Sequence, residues 1–462
     1  MEQIRIIHTN DLHSHFENWP KIRRFVQKKQ QASENETVYT VDLGDFSDRW
    51  HPLTEATDGK ANVTMMNSLH YDLVTIGNNE GVGNAKSVLN HLYDEATFEV
   101  ILANLFDKQT LQLPKWAKAS KVVTTGQGTK IGFIGLTAAF PLTYSPNGWD
   151  IRSWKEILPK LVQELKNKVD VIVLLSHLGI EEDQLIATEL PTIDVIIGSH
   201  THHLFVAGKK RNGVQLAAAG KFGNYVGEVL LEVDHHRIKN KQAQTFKVAQ
   251  MSAHPEDSQE ITDYMTLGHQ LLQEKKVAWL PHDLTLDLQE GSLILETLEA
   301  VKKRGQTKVA ILNTGLFLDN LPKGYVDQDE LHHILPHPMH LIKVTLKGKD
   351  MRRLILEMEK NRLFLRGFPV VGMGFRGKIF GEIVYSGITY DKINHDVLWL
   401  GKSIDETKEY CFTTVDHLMF APFFPTIEIA GTHEFLFPEF IRTVLGDHLS
   451  QKFPLSEFGS HY

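Results

Sequence analysis

One cysteine, Cys411, stands in 462 residues, so no disulfide can form within the chain. A reducing compartment is compatible with that. Positive charge is also scarce: 49 Lys and Arg against 57 Asp and Glu leave a formal charge of −8. Nonspecific nucleic-acid binding needs a basic face, and this balance argues against it. No apolar run approaches the roughly 20 residues of a membrane-spanning helix. The longest runs from Val169 to Leu175, and Asp170 interrupts it. The N-terminus shows no basic segment followed by an apolar stretch; a strand pattern begins almost at once. Repeats and low-complexity tracts are missing too. These absences lead us to expect a cytoplasmic globular protein with neither membrane nor nucleic-acid partners.

The chain is too long for one ordinary core, so two domains are expected. Up to about Val233, short β-branched runs alternate with amphipathic stretches such as Pro20–Gln31, Ala61–Leu69 and Ser153–Lys168. That alternation predicts an α/β layered domain. Asp234 to Asn240 reads as a polar turn and 256–276 as a polar helix leading to a second unit. Beyond Val277, helix patterns at Ser292–Arg304 and Lys349–Lys360 mix with strand patterns such as Ile342–Leu346 and Tyr410–Val415.

Metal-ligand residues sit where the apolar runs of the first half end. Asp11 and His13 follow Ile4 to Asn10, Asp45 follows Thr37 to Gly44, and Asn78 follows Leu73 to Gly77. His177 closes Val171 to Ser176, and His200 and His202 follow Val195 to Ser199. Buried parallel strands read as such runs, and ligands gather beyond their carboxyl ends. Any one of these residues is more simply a turn former, a helix cap or a hydrogen-bonded histidine. The ordered set describes a site for two divalent metals on one rim. Carboxylates bridge because each has two oxygens, and imidazoles fill outer positions. Asn78 adds a neutral oxygen that keeps the site open to an anion. Oxygen and nitrogen donors without sulfur suit Mn²⁺, Zn²⁺, Fe²⁺ or Co²⁺.

The motifs carry a family resemblance. Thr9-Asn10-Asp11-Leu12-His13-Ser14-His15, Val41 to Asp45, Thr75-Ile76-Gly77-Asn78 and Gly198-Ser199-His200-Thr201-His202 resemble those of the calcineurin-like metallophosphoesterases. Within them the chain looks like the bacterial 5′-nucleotidase/UDP-sugar hydrolase group. The resemblance implies a four-layered α/β/β/α metal domain over 1–240, a linker helix in 241–276 and a smaller α+β substrate-recognition domain over 277–462. It implies that Asp11, His13, Asp45 and His202 hold one metal, and that Asp45, Asn78, His177 and His200 hold the other. The partner would be a small phosphate ester, a nucleotide above all.

The chain departs from that pattern in three places. The family's Gly-Asn-His reads Gly77-Asn78-Asn79 here, and a following Asp position holds Val82. Asn79 therefore enters as a hydrogen-bond donor to the phosphoryl group, because an amide cannot shuttle protons. His8, His15 and Glu80 are the nearby titratable alternatives. The family's nucleotide-binding arginine position holds Leu318, and a stacking phenylalanine position holds Leu341. Phe375, Arg376 and Phe420, with Phe423 and Phe424, offer a different clamp, or else core. Three readings are open: a nucleotidase-like phosphoesterase, a pyrophosphatase or diesterase on nucleotide-sugars or dinucleotides, and a non-catalytic metal and nucleotide binder.

Overall fold

The computed structural model describes residues 1–31, 36–289, 291–372 and 374–455. Residues 456–462, the end of the expected second domain, lie outside the described residues. Contacts divide the chain into one unit ending at Gly268 and another beginning at His269.

The first unit holds two stacked sheets. In a seven-stranded sheet, Glu2–Thr9, Glu36–Asp42, Leu73–Val74 and Glu99–Ile101 run parallel, each beside the next. In a six-stranded sheet, Lys130–Thr137, Val171–His177, Val195–Gly198 and Val214–Ala217 do the same. Side chains alternate across a strand, so one set from each sheet meets between them. Ile4, Ile6, Tyr39 and Val41 pack there with Phe133, Val173, Leu175 and Ile197. The other face of the six-stranded sheet sends Ile172, Leu174 and Ile196 against Trp154, Leu158 and Val162 of helix Trp154–Leu165. Beyond the seven-stranded sheet, the Gln30 amide reaches Thr40 Oγ1 at 2.9 Å and the Leu69 carbonyl at 2.8 Å. Those bonds join helices Trp19–Lys29 and Lys60–Leu69 to that face. The layers are therefore helix, sheet, sheet, helix. Both sheets are covered on both faces, which is why their strands read as unbroken apolar runs.

The hairpin turn expected near Asp234 is present, with Asp234 opposite Arg237. The chain then returns as strand Arg237–Lys247, so the sheet continues past the boundary read at 240. Its polar composition reflects its place on the sheet edge, where one face meets water. Helix Asp257–Gln273 comes next. Its first turns belong to the first unit: Arg23 forks onto Glu260 at 2.6 and 2.7 Å, and Arg24 onto Asp257 at 2.5 and 2.8 Å.

The second unit is a mixed α+β domain. Its five-stranded sheet runs in the order Ile383–Ser386, Ala310–Asn313, Glu409–Val415, His340–Lys347, Thr432–Phe440. Leu298 and Val301 from helix Leu293–Gly305 share its core with Met351 and Ile355 from helix Gly348–Leu365.

Candidate metal centre

All seven predicted ligands stand at carboxyl ends of parallel strands in the first unit. Asp11, His13, Asp45, His200 and His202 take positive φ, between 50° and 73°. Such backbone is unfavourable for residues with a Cβ and persists where neighbours enforce it. Hydrogen bonds supply that enforcement: Asp11 N donates to Gly44 O at 3.1 Å and His13 N to Asp45 O at 2.8 Å. The two loops carrying Asp45 and Asn78 approach so closely that only glycine fits between them. A Cβ on Gly44 would lie 2.1 Å from Gly77 N, and one on Gly77 would lie 2.0 Å from Asp45 Oδ1.

The ligand atoms form two triads, Asp11 with His13 and His202, and Asp45 with His177 and His200. Within each triad, one donor atom per residue lies within 4.8 Å of the others. Asp45 joins the two, because its Oδ2 lies 3.7 Å from His13 Nε2 and 3.4 Å from His177 Nε2. Asn78 Oδ1 and His177 Nε2 are buried without a hydrogen-bond partner. Buried polar atoms are rarely left so, and a cation between the triads would satisfy both. The residues thus fit the metals that the sequence implies.

Surrounding bonds aim these donors. His177 Nδ1 donates to the Leu43 carbonyl at 2.7 Å, which turns Nε2 towards Asp45. Asp11 accepts from Ser199 Oγ at 2.6 Å and from His200 N at 3.1 Å. Burial pushes the His200 ring down to about 4, helped by the nearby His177 charge, so it is neutral at pH 7. His177 is the opposite case: burial acts to lower it, but the Asp45 carboxylate outweighs burial and raises it to about 9. In metal-free protein His177 holds a proton that a metal must displace. Metal loading at pH 7 should release protons, and affinity should rise about tenfold per pH unit per displaced proton towards pH 9. Calorimetry in buffers of different ionisation enthalpy measures both; a flat affinity would refute this ordering.

Glu80 proves to be a clamp. Its buried carboxylate accepts from Asp45 N and Gly77 N at 2.9 Å and from Ser47 N and Ser47 Oγ at 2.8 Å. The sequence offered Glu80 only as a substitute proton donor. His8 is enclosed in its strand beside Gly227, and burial pushes it down to about 4. His15 is paired with Glu17 at 2.8 Å. Asn79 lies beside the site, but its amide is engaged: Nδ2 donates to Ser47 O at 3.1 Å and lies 2.9 Å from His13 Nδ1.

One loop escaped the sequence reading. Gly220-Lys221-Phe222-Gly223 is tied to the loop of Asp11 and to the loop that follows His202. Gly220 N donates to His203 O and Phe222 N to Asp11 O, at 2.8 and 2.7 Å. Phe222 packs at a tilt on His15 with centroids 3.9 Å apart and stands 5.8 Å from the His13 ring. The Gly-Lys-Phe-Gly punctuation was the available signal, yet isolated glycines mark many turns.

The clamp residues belong to the second unit. Phe375, 4% exposed, is sandwiched between His337 at 5.0 Å and His417 at 5.3 Å. With two imidazoles stacked on it and so little exposure, its ring is core rather than an open stacking surface. Arg376 N donates to His337 Nδ1 at 2.8 Å. Phe424 is buried against Phe380, and Leu341 lies in the sheet core. Phe420, at 44% exposed, keeps an open face. Phe375→Ala should cost about 3–5 kcal/mol of stability in urea unfolding, whereas Phe420→Ala should stay within about 0.5 kcal/mol.

Comparison with known proteins agrees with this geometry. The model of the calcineurin-like phosphoesterases matches residues 4–204, which contain all seven candidate ligands. The model of the 5′-nucleotidase C-terminal domain matches residues 276–420. An uncharacterized metallophosphoesterase, YunD of Bacillus subtilis, is 37% identical over 97% of this chain and 100% of its own length. The chain belongs to the calcineurin-like phosphoesterase family. It is accordingly a phosphoric ester hydrolase of the kind that works with divalent metal ions. Human 5′-nucleotidase is 27% identical over 50% of this chain and 47% of its own length, so the match spans about half of that relative. The structure of a 5′-nucleotidase precursor from Thermus thermophilus superposes with a TM-score of 0.58. It covers 98% of this chain and 97% of its own at 20% identity, a likeness of fold. Among the described residues, no helix is long and apolar enough to cross a membrane.

Proposed function

We propose that the chain is a two-metal hydrolase whose substrates are nucleotides or closely related phosphate esters. The carrying observation is Asp45 Oδ2, set between His13 Nε2 and His177 Nε2 at 3.7 and 3.4 Å, with an unpartnered Asn78 Oδ1 buried nearby. Asp11, His13, Asp45 and His202 would hold one ion and Asp45, Asn78, His177 and His200 the other. Such ions lower the pKa of water and neutralise phosphoryl oxygens. The protein's part is orientation. The Leu43 carbonyl holds the His177 ring, Ser199 holds Asp11, and Glu80 holds the two loops in register. Asn79 contributes by fixing His13 rather than by moving a proton. A nucleotide as substrate is supported by the 5′-nucleotidase C-terminal domain and by the nucleotidase relative. A single cysteine supports a reducing, cytoplasmic setting.

The test is a substrate panel with Mn²⁺-loaded protein: nucleoside monophosphates, cyclic nucleotides, nucleotide-sugars and dinucleotides. The expected result is multiple turnover on a nucleoside 5′-phosphate or a nucleotide-sugar, abolished by chelator and restored by metal. Two bound metals per chain with no turnover anywhere in the panel would overturn the proposal in favour of a binding protein.

A further inference from the structure

Apart from His15, which is paired with Glu17, the centre as built has little with which to protonate a leaving group. His13, His177, His200 and His202 point ring nitrogens at the metal positions, Glu80 is spent on four loop donors, and Asn79 is engaged with Ser47 and His13. An oxygen leaving phosphorus carries negative charge, and without an acid that charge must be met by a cation.

Lys221 is placed to do so. It lies in the loop between two positive-φ glycines, Gly220 and Gly223, beside a Phe222 that itself has φ of 60°. A bulky aromatic in that conformation is strained and survives only where its surroundings impose it. Here Phe222 N donates to Asp11 O, Asn18 Nδ2 donates to Phe222 O at 3.1 Å, and Asn10 Nδ2 donates to Gly220 O at 2.8 Å. The enforced turn sets the Phe222 ring 5.8 Å from His13 and 6.3 Å from His202, and Lys221 Nζ lies over that ring at 4.4 Å. Among the described residues no carboxylate pairs with Lys221. A cation without a carboxylate partner, held beside this rim, is available to an arriving anion.

We infer that Lys221 is a substrate-contacting residue that binds the anionic oxygen of the leaving group on the His13–His202 side of the centre, with Phe222 as its platform. This rests on the proposed hydrolase reading. In the step, a water oxygen forms the new bond to phosphorus. The bond to the leaving oxygen breaks, its electron pair stays on that oxygen, and one water proton passes to solvent. Lys221 keeps its proton and neutralises the charge by a charge-assisted hydrogen bond. The ligand class is a phosphate ester or anhydride whose departing group leaves as an anion.

The experiment uses full-length Mn²⁺-loaded wild type, Lys221→Met, Lys221→Arg and Phe222→Leu, each checked for metal content and melting temperature. Titration calorimetry with inorganic pyrophosphate reads the subsite without turnover. Lys221→Met should bind it about tenfold more weakly, while inorganic phosphate, which needs only the metals, changes less than about twofold. Lys221→Arg should restore most of the affinity, and Phe222→Leu should lose part of it. On aryl phosphates, log kcat/KM should fall more steeply with leaving-group pKa in Lys221→Met than in wild type. Equal pyrophosphate affinity in wild type and Lys221→Met, or an unchanged slope, would overturn the assignment. Absence of all turnover would instead refute the hydrolase reading, and the calorimetric comparison would still decide Lys221.

Discussion

Asp45→Ala should lower kcat/KM by about 10³-fold or more, equivalent to about 4 kcal/mol of transition-state stabilisation, and should reduce bound metal. Its carboxylate is the group that stands between both triads, facing His13 and His177. With the proposed ligand set, removing it would delete a ligand from each metal position at once, whereas any other single substitution would delete one. Steady-state kinetics with elemental analysis of metal content make the measurement. A second readout is independent of activity. Asp45 is what raises His177 to about 9 against burial, so the metal-free variant should titrate His177 at much lower pH by NMR. Full activity with both metals retained would sink the bridging assignment.

Glu80→Ala should destabilise the protein by about 3–5 kcal/mol, the usual consequence of removing a buried charged partner. Its carboxylate is the acceptor for three backbone N–H groups and one hydroxyl from two separate loops. Each buried donor left without an acceptor costs about 1–3 kcal/mol, so the loops should rearrange rather than stay empty-handed. Because Asp45 N is one of those donors, activity should fall with stability. Glu80→Gln retains one acceptor oxygen and should fall between the two. Urea midpoints measure the effect; a change below about 0.5 kcal/mol in Glu80→Ala would mean that the loops hold themselves.

The candidate metal ligands were legible because each is anchored to a periodic feature. A β-branched run that ends in Asp-x-His, Gly-Asp, Gly-Asn or His-x-His announces both the strand and the rim on which its ligand stands. The same alternation announced a layered α/β domain, while the four layers were what the family resemblance implied. The domain boundary was less legible: Arg237–Lys247 is an edge strand whose polar residues read as a link. The C-terminal clamp was least legible. Phe375 and Phe420 are the same residue type in similarly aromatic surroundings, yet one is enclosed between two imidazoles and the other is 44% exposed. Linear spacing carries no information about which face of a ring a distant segment covers.

By itself, the order of residues determined the fold class, the two-part organisation and the donor chemistry, since periodicity, length and ligand type are local properties. Only the tertiary structure decided what each neighbouring residue does with that chemistry. Glu80 became a clamp because four donors from two loops converge on it, and Asn79 became a brace for His13 because Ser47 and His13 occupy its amide. Lys221 came to the metal rim through hydrogen bonds to residues about 200 positions away in the chain, Asn10 and Asp11. Those roles depend on which long-range partners satisfy buried polar groups, and that pairing exists only once the two sheets have closed on each other.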